Sequence, residues 1–399
     1  MKGSGVDRRR QRDVAVLQVI AGLDPAYGGP PVCAVNTALA LTGEGYPNAV
    51  AFTVQDGREE AGAELLAILR ANGTRVHVFP EPRFFGSYGR RWAISPKLAA
   101  WLLLRSARFD VVHAHGAWTF PTIAALVSAR LFGRVAVLAP HAALMDLDRE
   151  KSGPFSRFVK RVLRSVLVRT FHVVVTASTL EQADIANGGK SKVVPHAVVG
   201  DSSVERRTPN AEELNVGFLG RLHPTKNVEV LIDALALLPD QVVLHVAGDG
   251  SAPYKSALAS RAAARGVERR VRWLGFVDDR AKSRFFASID VLAMPSAFEG
   301  FGIAAVEALI AGVPVVVSSG VGVADFIDRG KSGRVVAPTA GAVAGALEEM
   351  LDQPEARQRL SRNARIAARE FSVENHGARL AEVYEEVLRR RTNRARSVA

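Results

Sequence analysis

The 399 residues are 48% hydrophobic and 23% charged, which is typical of a globular protein long enough for two domains with sizeable cores. A single cysteine, Cys33, excludes an intramolecular disulfide, and no apolar run approaches the roughly 18 residues that a membrane span needs. Residues 1–10 lack the apolar stretch of a signal peptide, so we expect a cytoplasmic protein.

The net charge of +12 is concentrated in the first half of the chain. Residues 1–200 hold 25 Lys and Arg against 15 Asp and Glu, whereas residues 201–399 hold 27 against 25. A one-sided excess of this kind indicates an anionic partner. The sequence contains no nucleic-acid-binding motif, so an anionic membrane surface or an anionic acceptor is favoured over nucleic acid.

Short apolar runs alternate with helical patterns through the first half. Val14 to Ile20 predicts a strand, which is followed by a glycine-rich loop and a helix that begins near Pro31. Further strands are predicted at 49–54, 75–79, 111–115, 135–139 and 171–176. This alternation predicts an α/β fold with a doubly wound parallel sheet.

The loop after the first strand contains Gly28 and Gly29 and could cradle an anion where the helix begins. Its glycines lack the tight G-x-G-x-x-G spacing of a dinucleotide-binding turn. Because a Gly-Gly turn is common in any α/β fold, an ordinary turn remains the alternative.

A polar stretch without periodicity predicts a linker at 199–213. A second alternation follows, with strands predicted at 215–219, 241–247, 270–274, 289–294 and 313–318. We therefore predict two domains, 1–198 and 214–371. A last helix is predicted over 372–390, followed by a basic tail at 391–399.

The stretch 298–309 joins a strand, a glycine turn and a helix. Gly300 and Gly302 remove Cβ where the backbone would approach a ligand, and the helix that follows presents unpaired N–H groups suited to an anion. Glu299 on the turn and Glu307 on the helix could accept hydrogen bonds from vicinal hydroxyls of a sugar or ribose. The alternative is that one Glu favours the helix dipole and the other lies on a solvated face.

Arg221 and Lys226 follow the first strand of the second half, at the edge where a doubly wound sheet binds its ligands. The planar fork of Arg and the mobile charge of Lys together suit a diphosphate. The alternative is an ordinary pair of surface cations.

Two more glycine turns, at Gly248 and at 275–277, end strands of the same sheet, where backbone groups could hold a base. Ordinary strand-end turns would look the same. Taken with the two preceding blocks, however, they resemble in order and spacing the signature of the family 4 retaining glycosyltransferases, also described as glycosyl transferases group 1.

The resemblance implies the GT-B fold: two Rossmann-like doubly wound domains facing across a cleft, with the last helix crossing back to the first domain. The second domain would hold most of a nucleotide sugar. The catalytic residues implied are Glu299, Arg221, Lys226 and His115. The donor-binding residues implied are Gly28, Gly29, Arg221, Lys226, Gly248, Phe276, Val277, Glu299, Gly300, Phe301, Gly302 and Glu307.

The first half resembles the same family more weakly, through a D-V-x-H-x-H stretch at 109–116 and a loop at 139–146. By resemblance His115 faces the transferred sugar, and His141 lies close by on the acceptor side. Histidines at a strand end can equally be satisfied by backbone groups. The sequence departs from the family at two places: it has Pro-His-Ala at 195–197 where P-N-G is usual, and Asp325 where a Glu is common. Both departures concern contacts to the donor and not the class of enzyme.

Asp146 and Asp148 form a D-x-D sequence, which a different glycosyltransferase fold uses to hold a divalent cation. They lie far along the chain from Arg221 and Lys226, which already supply positive charge for a diphosphate, so we expect no metal cofactor. One cysteine and scattered histidines also make zinc unexpected.

Two segments could explain the basic first half. Cations at 157, 160, 161 and 164 share one face of a predicted helix with apolar residues opposite, and the loop 83–92 interleaves cations with aromatics. The helix could equally be an ordinary surface helix with its apolar face in the core. The loop favours an anionic membrane partner, because exposed aromatics are costly unless they meet something.

The sequence therefore predicts transfer of a sugar from a nucleoside diphosphate sugar to a glycan or lipid-linked acceptor, in cell-surface polysaccharide or glycolipid synthesis. Retention of anomeric configuration is implied by the family resemblance alone. A sugar-nucleotide epimerase of the same fold and a non-catalytic peripheral membrane binder are the alternatives. If membrane contact is made, we expect it at the inner face of the plasma membrane.

Overall fold

The computed structural model describes residues 12–24, 27–55, 57–58, 60–82, 92–145, 154–185, 190–204 and 213–396. Side chains are described throughout these ranges except at 154–157, 159–160, 279 and 394–396. Asp146, Asp148 and residues 83–91 of the predicted loop therefore lie outside the described residues, as do the side chains of Arg157 and Lys160.

The chain forms two compact units. Unit 1 comprises Met1–Ala177, Glu181–Ala197 and Ser372–Ala399, and unit 2 comprises Ser178–Leu180 and Val198–Phe371. The predicted linker begins at 199, but residues 199–204 pack as part of unit 2. Arg365 holds them by donating hydrogen bonds to the carbonyl oxygens of Ser202 (3.0 Å) and Val204 (3.5 Å).

Unit 1 is built on a seven-stranded parallel sheet of order β3-β2-β1-β4-β5-β6-β7. Its strands are β1 (Val16–Ile20), β2 (Asn48–Gln55), β3 (Arg75–Glu81), β4 (Val111–His115), β5 (Val135–Ala139), β6 (Val173–Thr176) and β7 (Ser191–Val193). Every residue of β1, β4, β5 and β6 is buried, as expected for parallel strands with helices on both faces.

Four of the helices of unit 1 that precede unit 2 carry proline in the first turn, where no backbone donor is needed. They are α1 (Pro30–Gly43), α2 (Ala63–Ala71), α3 (Pro96–Arg105), α4 (Phe120–Leu131), α5 (Pro154–Thr170) and α6 (Thr179–Ile185). Helices α3, α4 and α5 follow β3, β4 and β5 and cross the sheet in the same direction. Since such crossovers are right-handed, all three lie on one face of the sheet.

Helix α5 was predicted to have either an exposed basic face or an apolar face packed in the core, and it differs from both predictions. Arg164, predicted on an exposed basic face, is buried with its guanidinium 3.4 Å from the carboxylate of Asp184. The opposite set, Phe158, Val162, Leu163 and Val166, is exposed rather than packed in the core. The helix therefore presents apolar side chains to its surroundings while one of its cations stabilises the unit from within.

Unit 2 is built on a six-stranded parallel sheet of order β10-β9-β8-β11-β12-β13. Its strands are β8 (Leu214–Leu219), β9 (Val242–Ala247), β10 (Val271–Gly275), β11 (Val291–Met294), β12 (Val315–Ser318) and β13 (Gly333–Val336). Its helices are α7 (Val228–Leu235), α8 (Ala252–Ala264), α9 (Asp279–Ser288), α10 (Ile303–Ile310), α11 (Ala324–Arg329), α12 (Ala340–Asp352) and α13 (Pro354–Ala367).

The last helix, α14 (Val373–Arg396), belongs to unit 1 and runs six residues past its predicted end at 390. Glu386 and Arg390 form an i,i+4 ion pair (2.5 Å) near the predicted end, and beyond it Oγ1 of Thr392 donates to the carbonyl oxygen of Leu388 (3.1 Å). Tyr384 is fully buried, its hydroxyl 2.7 Å from Nδ1 of His113 and its ring edge-on to Tyr46. Helix α14 thus completes the core of unit 1.

All eleven strands predicted from the apolar runs are present, each with ends within two residues of the prediction. The sequence did not predict the edge strands β7 and β13, which are short and only partly buried. Among the described residues, no helix combines the length and apolar character needed to cross a bilayer.

We expect Tyr384→Ala to destabilise unit 1 by about 3–5 kcal/mol, because it removes a fully buried aromatic ring. Tyr384→Phe should cost less, about 1–3 kcal/mol, since it only deprives His113 of its hydroxyl partner. Urea denaturation measures both changes, with Leu104→Ala at a largely exposed position as the control. Unfolding of Tyr384→Ala at the wild-type urea concentration would show that the Tyr384 ring contributes nothing to stability.

Candidate active site

The predicted charged residues of unit 2 lie where the strand order reverses, between β8 and β11, and Gly248, Phe276 and Val277 follow the neighbouring strands β9 and β10. Arg221 follows β8, and Glu299, Gly300 and Gly302 follow β11. A crevice opens at this point outside the carboxyl ends of the strands, because the connections leave in opposite directions. The fold therefore brings together side chains about 80 residues apart in sequence.

Glycine is required where the loops after β8 and β9 meet. Gly248 has a φ of 147°, and a Cβ on it would lie 1.8 Å from the carbonyl oxygen of Gly220. Its N–H donates to the carbonyl oxygen of Gly275 (2.7 Å) after β10. Three neighbouring strand ends are thus joined by backbone contacts, which leaves their edge open to a ligand.

The turn before α10 is similarly close-packed. Gly302 has a φ of 106° and caps the helix without a side-chain hydrogen bond. The backbone of Glu299 is fixed by hydrogen bonds to Gly320 and Gly322, each 2.9 Å. This holds the first N–H groups of α10 at the crevice, where the helix dipole favours an anion.

Lys226 and Glu299 form an ion pair, each about four-fifths buried. The loops that carry them are also tied by two 2.9 Å hydrogen bonds, from the Ala297 N–H to the carbonyl oxygen of Thr225 and from Nδ2 of Asn227 to that of Pro295. Burial, together with the nearby charge of Arg221, lowers the pKa of Lys226 to about 8. The site thus holds a cation that is poorly solvated, which strengthens its attraction for an anion.

Arg221 itself is exposed and forms no ion pair with the described residues. Its side chain is therefore available to a ligand at the crevice. With Lys226 and the N-terminus of α10, it makes one side of the crevice electropositive.

Glu307 lies on α10, eight residues after Glu299. It forms an ion pair with Lys282, whose Nζ is 2.8 Å from Oε1 of Glu307. Both side chains are largely buried. The sequence did not single out Lys282, which is on α9 and carries no motif around it. The signal available in the sequence was its position, because Lys282 lies on the helix before β11 and Glu307 lies on the helix after it.

Two aromatic rings near this edge have opposite environments. Phe276 follows β10 and is 80% exposed, so its face is free to stack on a planar group. Phe301, predicted to bind a donor, is buried against Phe371 with ring centroids 5.8 Å apart. Its ring belongs to the core, and only its backbone takes part in the turn, accepting from the Val323 N–H (2.8 Å). Val277 is half-buried.

In unit 1 the strand order reverses between β1 and β4, and the predicted residues again follow those strands. Gly28 has a φ of 81° with open space around its Cα, and Gly29 caps α1 without a side-chain hydrogen bond. Because Pro30 and Pro31 carry no N–H, the backbone donors of this turn are those of Gly28, Gly29 and Val32. His115 ends β4 beside it.

His115 is buried, and both of its ring nitrogens have partners inside unit 1. Its Nε2 lies 3.0 Å from Oε1 of Gln18, and its Nδ1 lies 3.0 Å from Nε2 of His141. Nδ1 of His141 in turn lies 3.3 Å from Nε2 of His196, and the rings stack in sequence. His196, which stands where the family usually has the Asn of P-N-G, is thus part of a chain of three imidazoles.

Burial lowers the pKa of His115, His141 and His196 well below the usual value for histidine, and each ring disfavours charge on its neighbour. All three are therefore neutral near pH 7. A neutral imidazole has one donor and one acceptor nitrogen, so the hydrogen bond of each ring decides the tautomer of the next.

The loop that carries His141 is strained. His141 and Ala142 have φ values of 52° and 64°, a conformation unfavourable for residues with Cβ. Glu181, buried and missed by the sequence analysis, accepts hydrogen bonds from the N–H groups of Ala142 (2.6 Å) and Ala177 (2.8 Å). Burial raises the pKa of Glu181 to about 7. A buried acid on α6, five residues after the end of β6, thus fixes the histidine loop.

Two family models match the chain. Glycosyl transferases group 1 matches residues 202–367, and the glycosyl transferase 4-like domain matches residues 28–199. Among curated proteins, the D-inositol 3-phosphate glycosyltransferase of Corynebacterium urealyticum is 28% identical over 303 residues, 69% of this chain and 71% of that protein. The glycogen synthase of Mycobacterium tuberculosis is 31% identical over 279 residues, 65% of this chain and 64% of its own.

Solved structures resemble the whole chain. HepE of Anabaena in complex with UDP superposes with a TM-score of 0.73 at 22% identity, covering 94% of this chain and 100% of that one. Sucrose-phosphate synthase of Thermosynechococcus elongatus gives a TM-score of 0.72 at 17% identity, covering 94% and 99%.

The two parallel-sheet Rossmann-like units define the GT-B class of glycosyltransferases, which confirms the predicted fold class. The chain belongs to the glycosyl transferases group 1 family, as the resemblance in sequence predicted. It is a glycosyltransferase, which favours sugar transfer over the alternatives of an epimerase and a non-catalytic membrane binder.

Proposed function

We propose that this glycosyltransferase moves a sugar from a nucleoside diphosphate sugar to a glycan or lipid-linked acceptor with retention of configuration, in cell-surface polysaccharide or glycolipid synthesis. The observation that carries the proposal is the electropositive crevice of unit 2, formed by Arg221, Lys226 and the N-terminus of α10. Retention rests on the family resemblance.

The charge arrangement suits departure of a diphosphate. Negative charge grows on the leaving oxygens as the glycosidic bond breaks, and fixed cations and helix N–H groups stabilise that growth more than the ground state. Arg221 and Lys226 supply this countercharge without a metal, so we propose that transfer needs no metal cofactor. Crystal structures of HepE contain UDP or UDP-glucose, so UDP-sugars are the first donors to test.

The two acids take different parts of the donor in this proposal. Glu307, held by Lys282, would accept hydrogen bonds from the ribose hydroxyls. A diphosphate would compete with Glu299 for Lys226, which would release the Glu299 carboxylate toward hydroxyls of the transferred sugar. The exposed ring of Phe276 and the turn at Gly248 would flank the base.

His115 and His141 remain the proposed sugar-side and acceptor-side residues of unit 1. Because both nitrogens of each ring already have histidine or Gln18 partners, a hydrogen bond from either ring to a sugar hydroxyl requires one of these partners to be exchanged. Gly28 and Gly29 remain proposed donor-binding residues, through their backbone N–H groups.

We further propose that unit 1 docks on an anionic membrane through the face formed by α3, α4 and α5. Large apolar side chains are exposed on all three helices, among them Leu104 (77%), Leu131 (66%) and Phe158 (64%). Arg161 and Arg169 are exposed on α5 beside them. Apolar groups that enter the interface and cations that meet anionic headgroups are the two components of peripheral binding.

Arg221→Ala and Lys226→Ala should each lower the turnover number on the order of 10²-fold or more, because each removes a charge that stabilises the leaving diphosphate. Turnover is measured as release of nucleoside diphosphate with and without acceptor, at saturating donor. Arg362→Ala, an exposed arginine on α13, should behave as wild type. Near wild-type turnover in either site variant would refute the diphosphate assignment.

Affinity for UDP should fall as pH rises above about 8, by up to about tenfold per pH unit, since Lys226 then loses its proton in the free enzyme. The attraction between protonated Lys226 and the diphosphate of UDP is fully present below that pH and is lost above it. Lys226→Arg should abolish this dependence, because the guanidinium keeps its charge throughout the range. Calorimetry at a series of pH values tests the difference, and a pH-independent wild-type affinity contradicts it.

Glu307→Ala should weaken binding of free UDP by about tenfold or more, because an ionised acceptor of ribose hydroxyls is lost. Glu299→Ala should not weaken it, since free UDP lacks the sugar that Glu299 would contact and Lys226 is left unpaired. Calorimetry compares both with Glu355→Ala, an exposed acid on α13. Equal weakening by both site variants would remove the distinction between the two acids.

Binding to vesicles containing anionic lipid should exceed binding to neutral vesicles and should fade with salt. Arg161→Gln and Arg169→Gln should each weaken it about fivefold, since a basic residue near such a surface contributes about 1 kcal/mol. Leu104→Ser and Leu131→Ser should also weaken it, unlike Leu237→Ser at an exposed apolar site of unit 2. Equal, negligible sedimentation with both kinds of vesicle would indicate a soluble acceptor.

A further inference from the structure

Three side chains of unit 1 that are distant in sequence bring metal-ligating atoms together. Cys33 lies on the first turn of α1, His141 on the loop after β5, and His196 after β7. The thiol sulfur and one nitrogen from each ring all lie within 4.8 Å of one another. Thiolate and imidazole are the ligands that Zn²⁺ and related cations prefer in proteins.

The spacing of the two ring nitrogens fits a tetrahedral cation. With Zn–N bonds of about 2.0–2.1 Å, two nitrogen ligands at a tetrahedral angle lie about 3.3 Å apart. Nδ1 of His141 and Nε2 of His196 are 3.3 Å apart. For a Zn–S bond of about 2.3 Å, the sulfur must lie about 3.6 Å from each nitrogen. Since no separation exceeds 4.8 Å, the sulfur and a nitrogen must approach each other by about 1.2 Å at most.

The hydrogen bonds behind His141 select the tautomer that a metal needs. With the Gln18 carbonyl accepting from Nε2–H of His115, Nδ1 of His115 is left as an acceptor. It accepts from Nε2–H of His141, and Nδ1 of His141 is therefore left with a lone pair toward His196. An outer partner that takes the second N–H of a ligating histidine is typical of protein metal sites.

The backbone keeps this geometry in place. His141 is in a left-handed conformation that Glu181 stabilises through the Ala142 N–H. Cys33 is fixed at the start of α1 by its own N–H, which donates to the carbonyl oxygen of Gly29 (3.1 Å). Two of the three ligands therefore lie on rigid segments, so little ordering is needed on binding.

We propose that Cys33, His141 and His196 bind a thiophilic divalent cation of the Zn²⁺ class, with three protein ligands and one open position. Cys33 ligates as the thiolate, and its proton passes to solvent. The bound cation replaces the His141 to His196 hydrogen bond, so the proton of the His196 ring moves from Nε2 to Nδ1 and Nε2 becomes the ligand. The His141 to His115 bond stays intact. One consequence rests on the proposed function: a cation on the acceptor-side histidine slows sugar transfer.

Co²⁺ titration of the untagged, full-length chain tests the site, because Co²⁺ takes the same tetrahedral ligands and is coloured. We expect one equivalent to bind with intense visible bands and a thiolate-to-metal charge-transfer band, both removed by added Zn²⁺. Cys33→Ser should lose the charge-transfer band, and His196→Asn should weaken affinity at least about tenfold. His77→Asn, a histidine of unit 1 outside the cluster, should bind as wild type.

His196→Asn introduces the residue that the family usually has at this position, so it provides a second variant if Cys33→Ser fails to fold. Binding without a charge-transfer band, or with equal affinity in wild type and His196→Asn, overturns the site. These spectra do not depend on catalysis, so they test the site even if the transfer reaction proposed above is wrong. In the transfer assay, Zn²⁺ should slow the wild type at concentrations that leave His196→Asn unaffected.

Discussion

The ion pair between Lys226 and Glu299 joins the two loops on which the site of unit 2 depends. It lies where the strand order reverses, and one backbone and one side-chain hydrogen bond beside it keep the β8 and β11 loops together. An acid that holds the lysine in the free protein keeps a poorly solvated cation in place until a stronger anion arrives. The same contact therefore stabilises the fold and, in the proposed function, prepares the crevice for a diphosphate.

Unit 1 differs from unit 2, because the groups that its strand ends bring together are neutral imidazoles. Buried imidazoles at the ends of β4 and β5 and after β7 are linked in a chain whose tautomers depend on one another. Such a chain responds to a change at either end, whether Gln18 moves or a cation displaces the last hydrogen bond. The two units thus offer complementary chemistry, fixed positive charge in unit 2 and uncharged donors and acceptors in unit 1.

The sequence predicted the fold well because buried parallel strands are continuous apolar runs between glycine turns, and Glu299, Arg221 and Lys226 belong to such turns. It could not predict partners that depend on tertiary contact. Lys282 and Glu181 lie on helices without motifs, and the burial of Phe301 depends on Phe371, seventy residues later. The histidine cluster shows this limit of sequence analysis most clearly, because His115, His141 and His196 are far apart in sequence and meet only at neighbouring strand ends.

Helix α14 also determines the order in which the chain is able to fold during synthesis. Unit 2 is almost continuous, from Val198 to Phe371, and all of its strands leave the ribosome before α14 does. Unit 1 must wait, because Tyr384 fills its core and His376 supplies partners to Thr37 and the Pro195 carbonyl. The first half of the chain therefore spends the synthesis of unit 2 with an uncovered apolar surface, a state open to chaperones and proteases until the last helix docks.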